Sequence, residues 1–328
     1  MELDRQAERA VIGALLLEPQ RYTEVAEWLE PGDFDGIACR QAFESMRAVV
    51  GEGRALTPAA VNERLAGEAA TGRVGADAAF LVGCMQVCPV PSRVALYGRM
   101  VLDNSIRRRI STHAGGLRRR AEQSTAPEEL NLVFGLVDKV RRDVERLHNR
   151  EAKAAGTYAP TPLNVELLPA PANAVPGYDA GIERTAVLAL VHHPLALPRV
   201  STWLERSDFR DPECALVFAQ LHSMMSSRKP IDPLTVAWQV SRKSASNRVV
   251  HALLEVQLSG PRLPDATVAC RRVLEQSVRS AVIDASLALE NVAVNTSAEA
   301  PATAEAYARL NRLWPKQRRL IKAGLTPA

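Results

Sequence analysis

No apolar run in this chain is long enough to cross a bilayer. The longest, from Ala10 to Leu17, falls far short of the roughly 20 residues a helical span needs. Glu2 and Asp4 near the start contradict the basic opening of a secretion signal. The expectation is a cytoplasmic protein with no membrane partner. Cysteine is also sparse. Five residues in 328 (Cys39, Cys84, Cys88, Cys214 and Cys270) form neither a disulfide framework nor a zinc-ribbon spacing. They read as reduced thiols. Cys84 and Cys88 stand four apart, a spacing that lets two thiols share a helix face, but no His pair accompanies them and no metal site is expected. Six scattered histidines offer no Ser/His/Asp or Cys/His arrangement, so no catalytic residue is expected. A Gly-Lys pair occurs nowhere in the sequence, which excludes the Gly-rich loop ending in Gly-Lys-Ser/Thr that cradles phosphates. No cofactor is expected.

What remains is a chain rich in Leu, Ala, Val and Arg, 47% hydrophobic, 24% charged and only 5% aromatic, a profile of packed helices long enough for about two domains. The formal charge of +4 names no partner, but its distribution is uneven. From Arg93 to Arg150 there are 13 Lys/Arg against 7 Asp/Glu, and from Arg262 to the end 10 against 6. Two mildly acidic heads are therefore followed by two basic segments.

The sequence repeats itself at an offset of 175. Glu8-Arg9, Ala14-Leu15, Pro19, Val25, Trp28-Leu29-Glu30, Asp33-Phe34, Cys39 and Phe43 match Glu183-Arg184, Ala189-Leu190, Pro194, Val200, Trp203-Leu204-Glu205, Asp208-Phe209, Cys214 and Phe218. Pro58 and Val61 match Pro233 and Val236, and after three residues are lost Val101–Arg107 matches Val273–Arg279. Between the copies lies a stretch rich in Pro and poor in charge, which favours extended chain over helix. The expected organisation is all-α. A first domain covers 1–150 (head about 1–90, hairpin about 93–150), a linker 151–180, and a second domain 181–328 (hairpin about 265–323).

Helix starts are marked by Thr57-Pro58, Asp211-Pro212 and Asp232-Pro233, a side-chain oxygen before a Pro that needs no amide partner. Asp4 is the expected start of a core helix running to Leu17. Asp33 and Asp208, each beside a Phe just before a helix, read as local caps. Thr125 to Glu128 fits a capping box between the two arms of the first hairpin. Leu102, Ile106, Ile110, Leu117 and Ala121 form a stripe on the first arm. On the second, Leu130, Val133, Val137, Val140, Val144 and Leu147 follow a heptad seam. A hairpin projecting from a small head has little surface to cover that seam, so these six are the candidate partner interface, including self-association through the hairpins. Arg107, Arg108 and Arg109, with Arg118, Arg119 and Arg120 eleven residues on, are candidate nucleic-acid contacts, though few aromatics accompany them for base stacking.

Glu8 followed by Ile12-Gly13-Ala14-Leu15-Leu16-Leu17, then Asp33-Phe34, Phe43 and Thr57–Val61, resembles the N-terminal domain of bacterial DnaB-type replicative helicases. The resemblance covers Leu3 to about Arg150 well and Gly181 to about Lys322 more weakly. It implies a helical head followed by a helical hairpin, a collar built by hairpin and head pairing, and docking of primase. A His usual after the Asp-Phe pair is replaced by Cys39 and Cys214, and Gly13 of the first copy is Leu188 in the second. Where the family has its ATPase, this sequence has a second collar-like module. The expected role is a non-catalytic interaction module for a replicative helicase or primase, acting as scaffold, loader or inhibitor. The alternatives are a split helicase subunit with its motor supplied in trans, and a DNA-binding plasmid or phage replication factor.

Overall fold

The computed structural model describes residues 2–69, 75–124, 126–156, 177–243, 263–295 and 301–325. Every regular element among them is helical. The first copy runs α1 (Glu2–Leu17), α2 (Ile37–Gly51), α3 (Pro58–Ala69), α4 (Ala78–Val87), α5 (Val94–Gln123) and α6 (Pro127–Ala154). The second runs α7 (Ala180–His192), α8 (Leu197–Val200), α9 (Pro212–Ser226), α10 (Pro233–Ser241), α11 (Ala266–Val294), α12 (Ala302–Asn311) and α13 (Trp314–Lys322). The repeat is visible in the order: α7, α9, α10 and α11 stand where α1, α2, α3 and α5 stand, and α6 is matched by the broken pair α12 and α13. The match to α4 falls at 244–262, outside the described residues, as do Thr125 and most of the Pro-rich connector.

The chain forms two compact units. Unit 1 comprises Met1–His113, Arg141–Leu167 and Leu289–Ala308; unit 2 comprises Ala114–Val140, Leu168–Ala288 and Arg309–Ala328. Each unit therefore takes one head and parts of both hairpins, and residues from both sequence copies meet inside it. The compact units and the sequence repeats are different divisions of the chain.

In unit 1, α1 is the core helix of the head, with Val11, Ile12, Ala14 and Leu15 fully buried. It begins at Glu2 rather than at Asp4, whose carboxylate instead accepts a hydrogen bond from Asn104 Nδ2 at 2.9 Å. Gly13 makes its packing possible: a Cβ there would lie 2.1 Å from the backbone oxygen of Cys84 on α4. Gly98 does the same for Trp28, whose ring edge a Cβ would meet at 2.7 Å. Phe34 stacks tilted on Phe43 at 4.9 Å, and in unit 2 Phe209 stacks on Phe218 at 5.0 Å. The caps that precede a proline form as their residue types dictate. Thr57 Oγ1 accepts from Ala60 N at 3.2 Å, Asp211 from Glu213 N at 2.8 Å, and Asp232 from Leu234 N and Thr235 N, both at 3.0 Å.

Candidate partner surface

Each head holds two buried carboxylates, one that organises the head itself and one that ties it to its hairpin. Glu8, on α1, is 2% exposed and accepts from the backbone amides of Asp35 at 2.6 Å and Gly36 at 3.0 Å, at the entrance to α2. Glu183, on α7, does the same for Arg210 and Asp211, both at 2.9 Å. Burial pushes the Glu183 carboxyl above its ordinary value, against the pull of those two amides. These glutamates satisfy amides that no helix carbonyl reaches. The sequence marks them only as part of the repeat.

Asp33 and Asp208 are caps and more. Asp33 Oδ2 accepts from Glu30 N at 2.8 Å and Oδ1 from Ser105 Oγ at 2.8 Å, while Arg150 on α6 pairs with the same carboxylate. Asp208 accepts from Glu205 N at 2.9 Å, Ser277 Oγ at 2.8 Å and Lys316 Nζ at 2.9 Å, and pairs with Arg319. Burial raises the Asp208 carboxyl, but the cations of Lys316 and Arg319 outweigh it and hold it below its ordinary value. Arg150 also lies 3.4 Å from Glu30, and Arg319 lies 3.2 Å from Glu205. Backbone amide, serine, arginine and flanking glutamate are duplicated, Lys316 being an addition of the second copy, and the cluster is an anchor between head and hairpin rather than a reactive site.

The heptad seam is not open. Leu130 and Val133 are fully buried, Val140, Val144 and Leu147 are each 1% exposed, and Val137 is 4% exposed. The expectation of a bare stripe is corrected, since all six side chains are covered within the compact units, each of which contains residues of both copies. The side left open on α6 is that of Leu132, 59% exposed. In unit 1 the incoming segment is held by specific contacts. Arg107 Nη1 donates to the backbone oxygen of Asn295 at 2.7 Å, capping the end of α11. Arg141 lies over the Tyr307 ring at 6.0 Å. Thr303, fully buried, donates to Glu151 Oε2 at 2.5 Å and lies 3.0 Å from His148 Nδ1.

These contacts also engage the first arginine cluster. Besides its capping role, Arg107 pairs with Asp103 at 2.9 Å. Arg108 donates to the backbone oxygen of Asp33 at 2.6 Å, and Arg109 lies 3.9 Å from Asp143. Their charge is spent largely on the fold itself. In the second cluster, Arg118 lies 4.0 Å from Glu122, Arg119 is exposed with its Nε donating to the backbone oxygen of Gly115, and Arg120 is half-buried.

Four of the five thiols, Cys39, Cys84, Cys214 and Cys270, are buried, and burial pushes Cys214 and Cys270 up to about 12, away from the thiolate form. Open apolar surface in unit 1 lies instead on the head. A groove of about 450 Å³ runs between α1 and the start of α5, lined by Leu3, Ala7, Val87, Tyr97 and Met100. Leu3 is 72% exposed and Met100 42%. Sequence reasoning missed this groove because its residues come from three separate segments with no shared periodicity.

A family model described as the DnaB-like helicase N terminal domain matches residues 2–103 and again 175–275. The chain is similar to the replicative DNA helicase DnaB of Geobacillus stearothermophilus, 24% identical over 250 residues, which is 76% of this chain and 50% of the relative. It is also similar to the replicative DNA helicase DnaC of Bacillus subtilis (strain 168), 24% identical over 147 residues, 45% of this chain and 32% of the relative. The chain spans half or less of the length of these curated relatives.

Proposed function

The chain belongs to the DnaB-like helicase N-terminal domain family, and on that premise we propose that it acts in DNA replication as a non-catalytic interaction module that binds a replicative helicase or its primase. The observation that carries this reading is the doubled match: two helicase-type N-terminal modules occupy most of the 328 residues, and no Gly-Lys pair occurs among them. The buried seam redirects the expected contact. Self-association through Val137, Val140 and Val144 would require opening a covered core, whereas the groove at Leu3 and Met100 is open and mostly apolar, with Gln6 and Arg9 as its polar lining, the kind of surface that marks partner contact.

Sedimentation velocity of the purified chain mixed with the replicative helicase, and separately with the primase, of its own host tests this. A co-sedimenting complex with either, weakened by Met100→Asp, is expected. Separate boundaries with both partners at micromolar concentration would refute it.

A further inference from the structure

The four tryptophans divide two and two. Trp28 and Trp203 are a matched pair in the two heads, 6% and 2% exposed. Trp238 on α10 and Trp314 on α13 are 55% and 44% exposed, and both belong to unit 2. Tryptophan is on average a well-buried residue, so two open indoles in one unit call for a reason. Each carries an arginine four residues on, lying over the ring: Arg242 at 5.0 Å from the Trp238 ring centre and Arg318 at 5.9 Å from that of Trp314. Neither α10 nor α13 contains an acidic residue.

The internal duplication supplies a control. Pro58 and Pro233 fix the register that sets Trp238 opposite Glu63 and Arg242 opposite Gly67. Arg150 and Arg319, which hold equivalent aspartates, fix the register that sets Trp314 opposite Glu145 and Arg318 opposite Asn149. Glu63 and Glu145 are exposed acids, 71% and 48% at the side chain, whose charge is met by Arg54 at 2.6 Å and Arg141 at 3.9 Å. At two separate places, then, the copies differ in the same way: the first has an exposed carboxylate neutralised by an arginine and an uncharged residue four positions on, the second an exposed indole with a guanidinium over it that no acid of its own helix neutralises. A difference that leaves the core untouched and adds aromatic and positive surface twice over concerns what touches that surface, not how the unit folds.

We infer that the second copy binds single-stranded nucleic acid, with bases stacking on Trp238 and Trp314 and phosphates contacting Arg242, Arg318 and the exposed Lys322. Flat aromatic faces beside cations match unstacked bases joined by phosphates, whereas duplex DNA keeps its bases stacked and offers phosphates alone. The same logic explains why the first copy is the poorer candidate: Arg107 and Arg108 serve the fold, and no exposed tryptophan accompanies them. The inference stands independently of helicase or primase binding.

The test titrates the full chain with a fluorescein-labelled thymidine oligomer, reading oligomer anisotropy and intrinsic tryptophan fluorescence. Trp28 and Trp203 are shielded, so quenching reports the exposed pair. Saturable quenching is expected, with affinity that falls as salt rises and that exceeds affinity for duplex of equal length. In the variant carrying W238E and W314E, which restores the first copy's residues at exposed positions, affinity should fall by about tenfold or more. The variant carrying W238F and W314F should keep most of the anisotropy change. No binding, or unchanged binding by the glutamate variant with its helical signal intact, would overturn the proposal. So would equal quenching by polyglutamate or by vesicles of anionic phospholipid, which would identify a general surface for acids or membranes.

Discussion

Arg150 reaches the fully buried carboxylate of Asp33 from 117 positions later in the chain, closing the end of the first hairpin onto its head. Arg319 does the same for Asp208 in the second. A buried charge stripped of its partner retains its desolvation cost, so Arg150→Met should lower the unfolding free energy by about 3–5 kcal/mol. Asp33→Asn should cost less, because the guanidinium keeps Glu30 and the Trp28 backbone oxygen as partners. Urea denaturation followed by circular dichroism measures this, and a loss below about 1 kcal/mol would reduce the pair to an ornament.

Asp208 also sets a pH dependence. Its carboxyl is held below the ordinary value in the folded chain, so its contribution is present above the unfolded value and is lost as pH falls through the folded one. Stability should therefore decline as pH drops below about 4. Glu183 has the opposite sign, since its raised value favours the folded state at low pH and that advantage disappears as pH rises. Asp208→Asn should lower Tm at neutral pH and flatten the acid limb of the Tm profile. An acid limb as steep as that of the parent would show that other carboxylates control it.

The two faces of α6 should respond differently to the same charge. Val140→Asp places a carboxylate in a core position and should cost several kcal/mol of stability. Leu132→Asp, on the open side, should change Tm little. Thermal melts of the two variants make the comparison. Equal and small effects would mean the seam is not packed as described.

Gly13→Leu, which copies the second module's residue into the first, should be strongly destabilising, because its Cβ alone would collide with the Cys84 carbonyl. The reverse substitution, Leu188→Gly, should lose stability through lost packing and greater backbone freedom. A melting curve of each variant is sufficient. A stable Gly13→Leu protein would show that α1 and α4 can separate.

Much of the fold was legible because it is local. Thr57, Asp211 and Asp232, each followed by a proline, cap the helices their chemistry predicts, and the alternation of apolar residues along α5 and α6 marks the faces that are buried. The cap reading of Asp33 was sound but incomplete, since nothing in the spacing of Asp33, Ser105 and Arg150 shows that they converge. The seam was misjudged for the same reason. A heptad stripe reveals that Val137, Val140 and Val144 need cover, not where the cover comes from, and here it comes from within the compact units. The open tryptophans were hidden in another way: Trp238 and Trp314 differ from their counterparts Glu63 and Glu145, and a search for similarity between copies passes over the positions where they diverge.

The proposal of a replicative interaction module is tested most directly by strand unwinding. The replicative helicase of the same host would be assayed on a forked duplex with and without equimolar chain, beside an ATPase measurement on the chain alone. The account predicts a several-fold change in unwinding rate, in either direction, with no nucleotide hydrolysis by the chain itself. An unwinding rate unchanged at saturating chain, with primase present and absent, would contradict it.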